Sequence, residues 1–121
     1  SDLSKSEVYA ISKWINVKYK SELIPNSILT KAPSAELRHN QIDPFDYELI
    51  SPLVAKLIEQ SKSPTELIEM GYKESVIHDI SKRLRVNEFK RRQAAPSLRV
   101  TSKAFGVGRR VPIINQFDEL L

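Results

Sequence analysis

Helix-start signals recur along this 121-residue chain and constrain its fold more than any other feature. Ser4 and Ser63 are each followed three positions later by Glu. This spacing makes a capping box, in which the Ser hydroxyl accepts from a free amide and the Glu side chain reaches back. Four apolar residues follow the first box at helical spacing: Val8, Ile11, Trp14 and Ile15. We therefore predict a helix over about residues 4–18 and a short one from Ser63 to Gly71.

The remaining helices are predicted from proline positions and from periodicity. Ser51 and Pro52 form a typical start, with a hydroxyl cap and proline at the first helical position. A single turn is predicted over residues 26–30, and Asn87 is predicted to cap a last segment that Pro96 stops. One more helix places four apolar residues on one face: Val76, Ile77, Ile80 and Leu84.

The fold class that follows is mainly α. Residues 98–101 alternate like a short strand, but no dependable sheet pattern accompanies them. Trp14, the face from Leu53 to Ile58 and the face from Val76 to Leu84 are expected to form a small helical bundle.

A long irregular segment interrupts the helices from Lys31 to Tyr47. Pro33 and Pro44 lie within it, and the polar residues between them show no periodicity. Loops of this length inside a compact domain are usually functional or disordered, and we predict a functional loop, mobile when it lacks partners.

The absence of Cys excludes a disulfide scaffold, a Cys-type zinc site and a Cys nucleophile within this chain, and it favours a cytoplasmic protein. Apolar residues make up 40% of the chain, too many for a disordered protein. No apolar run approaches the roughly 18 residues that would span a membrane. We therefore expect one folded domain that does not enter a membrane.

Charge is distributed unevenly along the chain. Residues 82–110 hold ten Lys or Arg and one acid, a local balance of +9, whereas the remaining residues carry nine bases and fourteen acids. This end of the chain therefore suits a negatively charged partner. The run Lys90-Arg91-Arg92 fits a nuclear address, a DNA contact or a solvated helix face, and only Phe89 and Phe105 supply aromatic rings nearby.

Other candidate motifs favour ordinary structural roles. His39 and His78 have no acidic or Cys neighbours at metal-ligand spacing, so no metal site is predicted. The acidic loop residues lack the Gly of a calcium loop: Asp43, Asp46 and Glu48. Residues 106–108, Gly-Val-Gly, lack the flanking strand and helix of a phosphate-binding loop and indicate a flexible tail.

Three motifs in order resemble those of one enzyme family. Residues 2–10 read DLSKSEVYA, residues 33–38 read PSAELR with Gln41 and Asp43 after them, and residues 87–96 and 99–106 read NEFKRRQAAP and RVTSKAFG. Together they resemble segments of the glutamine-dependent NAD+ synthetases. The stretch after Gln41 is shorter than in most of that family, and His39 stands where Pro is frequent.

The resemblance implies a ligase of the ATP-pyrophosphatase fold, an α/β domain. Such enzymes use ATP and Mg²⁺ to adenylate the nicotinate carboxylate of deamido-NAD+ (nicotinic acid adenine dinucleotide). Ammonia, released from glutamine by an N-terminal glutaminase domain, then displaces AMP. The family's SGG-x-D-S phosphate loop does not occur in these residues. We therefore expect residues 1–121 to be a C-terminal fragment of the synthetase domain, with loop 31–47 and basic tail 87–121, inactive alone and part of a homo-oligomer.

The resemblance also assigns roles to four residues. Lys5 and Ser34 match ATP-contacting positions, and Phe89 and Lys90 match positions that contact deamido-NAD+. Arg91 and Arg92 are expected from their charge to add to the field around pyrophosphate. The resemblance assigns no catalytic residue and no metal ligand within the chain. The alternatives are a basic helical nucleic-acid-binding module and a helical protein-interaction segment.

Overall fold

The computed structural model describes residues 2–103, 108 and 110–114. Helices account for the regular structure of these residues, and no strand occurs among them. The helices, in order, are α1 (Lys5–Tyr19), α2 (Asn26–Thr30), α3 (Tyr47–Ile58), α4 (Pro64–Glu69), α5 (Glu74–Val86) and α6 (Glu88–Arg92). The prediction of a mainly helical chain is therefore confirmed.

The chain divides into two compact units. Ser4–Ser51 form the first, called here the N-terminal unit. The described residues that precede Ser4 and those from Pro52 onward form the second, called the C-terminal unit. Helix α3 begins in the N-terminal unit and ends in the C-terminal unit.

The N-terminal unit begins with the predicted capping box. The Oγ of Ser4 accepts from the N–H of Glu7 at 3.3 Å, and Glu7 Oε2 accepts from the N–H of Ser4 at 2.7 Å. After α1 ends, Asn16 fixes the return of the chain by two hydrogen bonds to the main chain of Ile24, of 2.8 and 2.9 Å. The predicted turn over residues 26–30 follows as α2.

The predicted helix start at Ser51 is wrong, because α3 already begins at Tyr47. Asp46 provides the cap: its Oδ1 accepts from the N–H of Glu48 at 3.0 Å. Pro52 consequently lies inside the helix, where it has no N–H to donate to the carbonyl of Glu48. Asp is as good a cap as Ser, so the Ser-Pro pair was not the decisive signal here.

The second predicted capping box opens α4. The Oγ of Ser63 accepts from the N–H of Glu66 at 3.3 Å, and Glu66 Oε2 accepts from the N–H of Ser63 at 2.8 Å. Hydrogen bonds from Lys62 and then from Ser63 lower the pKa of Glu66 to about 2. Gly71, with a φ of 92°, follows the helix end, as the sequence predicts.

The core of the C-terminal unit is small. Four apolar side chains from α3, α4 and α5 are buried in it: Leu53, Leu67, Ile77 and Ile80. The predicted apolar faces of α3 and α5 therefore each contribute buried residues, Leu53 from α3 and Ile77 and Ile80 from α5. Trp14 is 57% exposed, so the predicted participation of this residue in the core is wrong.

The end of α5 and the start of α6 meet at Asn87. Its side chain donates to the carbonyl of Arg83 at 2.9 Å, which closes α5, and it makes no capping hydrogen bond to α6. The predicted side-chain cap at Asn87 is therefore wrong. Helix α6 ends at Arg92, before Pro96.

Residues 98–101 form no strand, although their sequence alternates like one. Their backbone binds a carboxylate: Oδ2 of the buried Asp2 accepts from the N–H of Val100 at 2.7 Å and the N–H of Thr101 at 2.8 Å. The hydroxyl of Thr101 donates to the same oxygen at 2.9 Å. We call this arrangement of Asp2, Val100 and Thr101 the Asp2 clamp. Ser102 extends it by donating its hydroxyl to Glu59 at 3.0 Å.

Two other predictions concern membrane-spanning helices and the C-terminal tail. Over the residues that the structure describes, every helix falls short of the length and apolar character needed to cross a membrane. Gly106 and Phe105, on which the predicted flexible tail and one of the aromatic rings depend, lie outside the described residues.

Candidate functional site

Lys5 is the first residue of α1 and lies directly after the Ser4 cap. Its side chain is exposed, and its Nζ lies 5.5 Å from the centroid of the Tyr9 ring. The ring is one helical turn further along and attracts the ammonium by a cation–π contact, which leaves the positive charge of Lys5 in place. The arrangement presents a positive charge at the positive end of a helix dipole, which suits an anionic ligand.

Ser34 lies near the start of the long loop and is half-buried. Its Oγ accepts from the N–H of Glu36 at 3.0 Å, which leaves the hydroxyl hydrogen available to donate. Glu36 adopts a φ of 53°, in the left-handed region. Glu36 forms an ion pair with Lys31. The hydrogen bond from Lys31 and its positive charge lower the pKa of the Glu36 carboxyl.

The loop has more internal order than the sequence predicts. Gln41 Oε1 accepts from the N–H groups of Leu37 and Arg38 at 2.9 and 3.2 Å. At the base of the loop, the N–H of Asp43 donates to the carbonyl of Pro33 at 2.8 Å. The loop is thus closed by its own hydrogen bonds, and its mobility in solution stays a prediction.

Phe89 and Lys90 lie next to each other on α6, in the C-terminal unit. Phe89 is 43% exposed, and Lys90 Nζ lies 5.9 Å from the centroid of its ring. An exposed ammonium beside an exposed ring matches a ligand that has both a phosphate and an aromatic base.

Arg91 and Arg92 have a different environment from Lys90. The carboxylate of Glu88, which is 1% exposed, accepts from Arg91 Nη2 at 2.8 Å and from Arg92 Nε at 3.1 Å. Burial raises the pKa of Glu88, but the hydrogen bonds from Arg92 and Arg91 outweigh it and lower that pKa overall. Arg91 also donates to the carbonyl of Leu84, and its side chain is nearly buried.

These contacts give both guanidinium groups partners within the chain. Arg91 holds α6 against the end of α5, and Arg92 also donates to the carbonyl of Val111 at 2.9 Å. The expectation that Arg91 and Arg92 add to the field around a pyrophosphate stays a prediction. Ion pairing with Glu88 offsets much of their charge.

The described residues contain no group of three His, Cys, Asp or Glu side chains able to hold a metal ion. His39 and His78 are both exposed. Asp43 Oδ2 accepts from the hydroxyl of Tyr47 at 2.7 Å, so this carboxylate already has a partner within the chain. We therefore assign no metal ion to the part of the chain that the structure describes.

The structure adds Tyr47 and Glu88 to the candidate residues, and neither is predicted from the sequence. Burial and then the hydrogen bond and charge of Asp43 raise the pKa of Tyr47 to about 12. The only sequence signal is the four-residue spacing from Asp43 to Tyr47, which suggests contact only if the intervening turn is known. Lys5 and Ser34 belong to the N-terminal unit, and Phe89 and Lys90 belong to the C-terminal unit.

Comparison with known families gives one consistent result. Residues 1–94 match the family model described as NAD synthase. The chain is 40% identical over 120 residues to the glutamine-dependent NAD(+) synthetase of Synechocystis sp.. It is 37% identical over 123 residues to that of Thermotoga maritima. These alignments cover 97% and 99% of the chain but 21% of each relative, so the chain spans about a fifth of their length.

A solved structure shows the same similarity in three dimensions. It is the glutamine-dependent NAD+ synthetase from Acinetobacter baumannii in complex with adenosine diphosphate. The TM-score is 0.56 at 28% sequence identity, with 94% of this chain and 20% of that chain covered.

Proposed function

Because this chain belongs to the NAD synthase family, we propose that it is the C-terminal part of the synthetase domain of a glutamine-dependent NAD+ synthetase. The complete enzyme joins ammonia to deamido-NAD+ and consumes ATP. The nicotinate carboxylate first attacks the α-phosphorus of ATP, and pyrophosphate leaves. Ammonia then attacks the acyl carbon of this adenylate, AMP leaves, and the amide of NAD+ is formed.

The match over residues 1–94 is the observation that supports this proposal most, because it includes all four residues to which a role is assigned. We assign Lys5 and Ser34 to ATP. An ammonium that reaches phosphate oxygens forms charge-assisted hydrogen bonds of roughly 1.5–3 kcal/mol each. The remaining hydroxyl hydrogen of Ser34 provides a neutral donor from the loop.

We assign Phe89 and Lys90 to deamido-NAD+. The Phe89 ring offers an apolar face for an aromatic part of the dinucleotide, and the Lys90 ammonium offers a counter-charge for its phosphates or its carboxylate. These groups bind and orient the substrate, which in such reactions accounts for much of the rate. No residue of this chain is assigned to a bond-breaking step.

The remaining parts of the reaction belong, in this proposal, to the rest of the enzyme. They include the phosphate loop of an ATP-pyrophosphatase fold, the Mg²⁺ that accompanies ATP, and a glutaminase domain that supplies ammonia. Homo-oligomer formation is part of the same proposal. The 121 residues alone are accordingly expected to form no NAD+.

The nucleic-acid-binding alternative gains no support from the described residues or from the comparisons. The basic stretch that suggested it is partly neutralised internally, since Glu88 pairs with Arg91 and Arg92 and Asp79 pairs with Arg83 at 2.8 Å.

The test is the substitution Lys90→Ala in the full-length protein that carries this chain. Loss of one charge-assisted contact should lower kcat/KM for deamido-NAD+ about ten- to a hundredfold, since each 1.4 kcal/mol is a factor of ten. The measurement is steady-state NAD+ formation at saturating ATP and ammonium. Lys73→Ala, which removes another exposed Lys of the C-terminal unit, is the matched control and should leave the kinetics unchanged.

Wild-type protein that forms no NAD+ from deamido-NAD+, ATP and ammonium would disprove the proposed function itself. Equal effects of Lys90→Ala and Lys73→Ala would instead remove only the assignment of Lys90. Strong, salt-dependent DNA binding by the wild type would favour the basic nucleic-acid-binding alternative.

A further inference from the structure

Three hydrogen bonds form a continuous line through the N-terminal unit, and Tyr47 lies in the middle of it. The hydroxyl of Ser6 donates to the carbonyl of Tyr47 at 3.1 Å. The phenol of Tyr47 donates to Asp43 Oδ2 at 2.7 Å. The N–H of Asp43 in turn donates to the carbonyl of Pro33 at 2.8 Å. The first turn of α1, the start of α3 and the base of the loop are therefore held to one another.

Both residues that we assign to ATP lie one position from an end of this line. Lys5 precedes Ser6, and Ser34 follows Pro33. The line therefore connects the main chain beside the ammonium to the main chain beside the hydroxyl.

Tyr47 is well suited to hold this position. It is the first residue of α3, it is half-buried, and its ring packs edge-on against Phe45 with 6.1 Å between centroids. A phenol with a pKa of about 12 stays protonated under physiological conditions, so it remains a donor to the carboxylate of Asp43.

The loop beyond this base is held together by local hydrogen bonds. Gln41 binds the amides of Leu37 and Arg38, and Ser34 binds the amide of Glu36. These bonds join residues of the loop to one another, and the bond from the N–H of Asp43 to the carbonyl of Pro33 joins its two ends beside Ser34. The direction in which Ser34 points therefore depends on the contact between Asp43 and Tyr47.

We propose that Tyr47 and Asp43 are positioning residues for ATP: their hydrogen bond fixes the loop so that Ser34 and Lys5 act on the same triphosphate. The inference rests on the proposed function for the identity of the ligand. The hydrogen bond between Tyr47 and Asp43 itself does not depend on which ligand binds.

The first test uses the full-length protein with Tyr47→Phe and Asp43→Ala. Each change should raise the KM and the directly measured Kd for ATP about tenfold, the equivalent of one lost hydrogen bond to a charged group. KM for deamido-NAD+ should stay within about twofold, since we assign that substrate to Phe89 and Lys90. Asp43→Asn retains an acceptor oxygen for the phenol and should restore most of the ATP affinity.

The matched control is Tyr19→Phe, which removes a phenol hydroxyl from an exposed ring of the same unit and should leave ATP affinity unchanged. An unchanged ATP affinity in Tyr47→Phe would overturn the inference. An equal loss of affinity for both substrates would also overturn it, because that result indicates general damage to the fold.

A second test uses the full-length protein and does not depend on activity. Amide hydrogen exchange at Asp43 should accelerate about tenfold in Tyr47→Phe and should not change in Tyr19→Phe. Equal exchange rates in both variants would overturn the inference. If the full-length protein binds ATP through this contact but forms no NAD+, the proposed function fails and the inference stands.

Discussion

Glu88 shows how much one buried carboxylate can determine locally. It binds two guanidinium groups, and through Arg91 it joins α6 to the carbonyl of Leu84 near the end of α5. A run of positive charge in the sequence is therefore a mixed cluster in the folded chain. Lys90 lies beside the two arginines in the sequence, and its side chain is exposed.

Replacing Glu88 should test this description. Glu88→Gln removes the charge that compensates a nearly buried Arg91, and we expect a loss of about 3 kcal/mol in the free energy of unfolding. Asp79→Asn breaks an exposed ion pair with Arg83 on α5 and should cost less than about 1 kcal/mol. Urea denaturation of the chain compares the two, and similar small losses would contradict the structural role of Glu88.

At this scale the sequence predicts residues whose role is contained in a motif, and it does not predict residues that depend on a distant partner. Lys5, Ser34 and Lys90 each lie within a short motif, so the sequence alone singles them out. The contact between Asp2 and Thr101 is not predicted, because nothing in either segment indicates the other.

At the scale of helices, local chemistry decides which predictions are confirmed. Both capping boxes form as predicted, because each needs only residues three positions apart. The start of α3 is mispredicted because Asp46, which precedes Ser51, supplies a cap of its own: its Oδ1 accepts from the N–H of Glu48. The hydroxyl of Ser51 pairs with Ser6 at 3.0 Å and therefore does not cap a helix.

Pro52 should destabilise the helix that contains it. Pro52→Ala supplies an N–H for the carbonyl of Glu48 and removes a ring from the helix interior, at an exposed position. Ala also gives the unfolded chain more conformational freedom, which offsets part of this gain in stability. We expect a net gain of about 1–2 kcal/mol in the free energy of unfolding. Pro64→Ala is the comparison, since Pro64 occupies the first turn of α4 and should give no gain. A loss of stability in Pro52→Ala, measured by urea denaturation, would show that α3 requires the proline.

At the scale of the whole molecule, few apolar side chains are buried among the residues that the structure describes. The core of the C-terminal unit contains four buried apolar residues, whereas Trp14 and Val17 of α1 are 57% and 76% exposed. Periodicity predicts that these faces are apolar but not whether this chain covers them. The small core makes polar contacts between distant segments, such as the Asp2 clamp, more important to the fold.

The Asp2 clamp can be tested through the amides that it binds. Asp2→Ala removes the acceptor of the Val100 and Thr101 N–H groups, so their hydrogen exchange should accelerate at least about tenfold. The amide of Asp43, in the N-terminal unit, is the internal control and should exchange as in the wild type. Unchanged protection of Val100 and Thr101 would show that other contacts hold residues 98–103.

The Asp2 clamp also bears on the order in which the chain folds. It joins Asp2 to Val100 and Thr101, which lie 98 and 99 positions further along the chain. Forming it early would therefore close a loop of almost the entire chain, at an entropic cost of roughly 4 kcal/mol. The helices, whose contacts are local, form without that cost. The clamp is therefore expected to close after the transition state for folding. Its hydrogen bonds then slow unfolding and leave the folding rate almost unchanged.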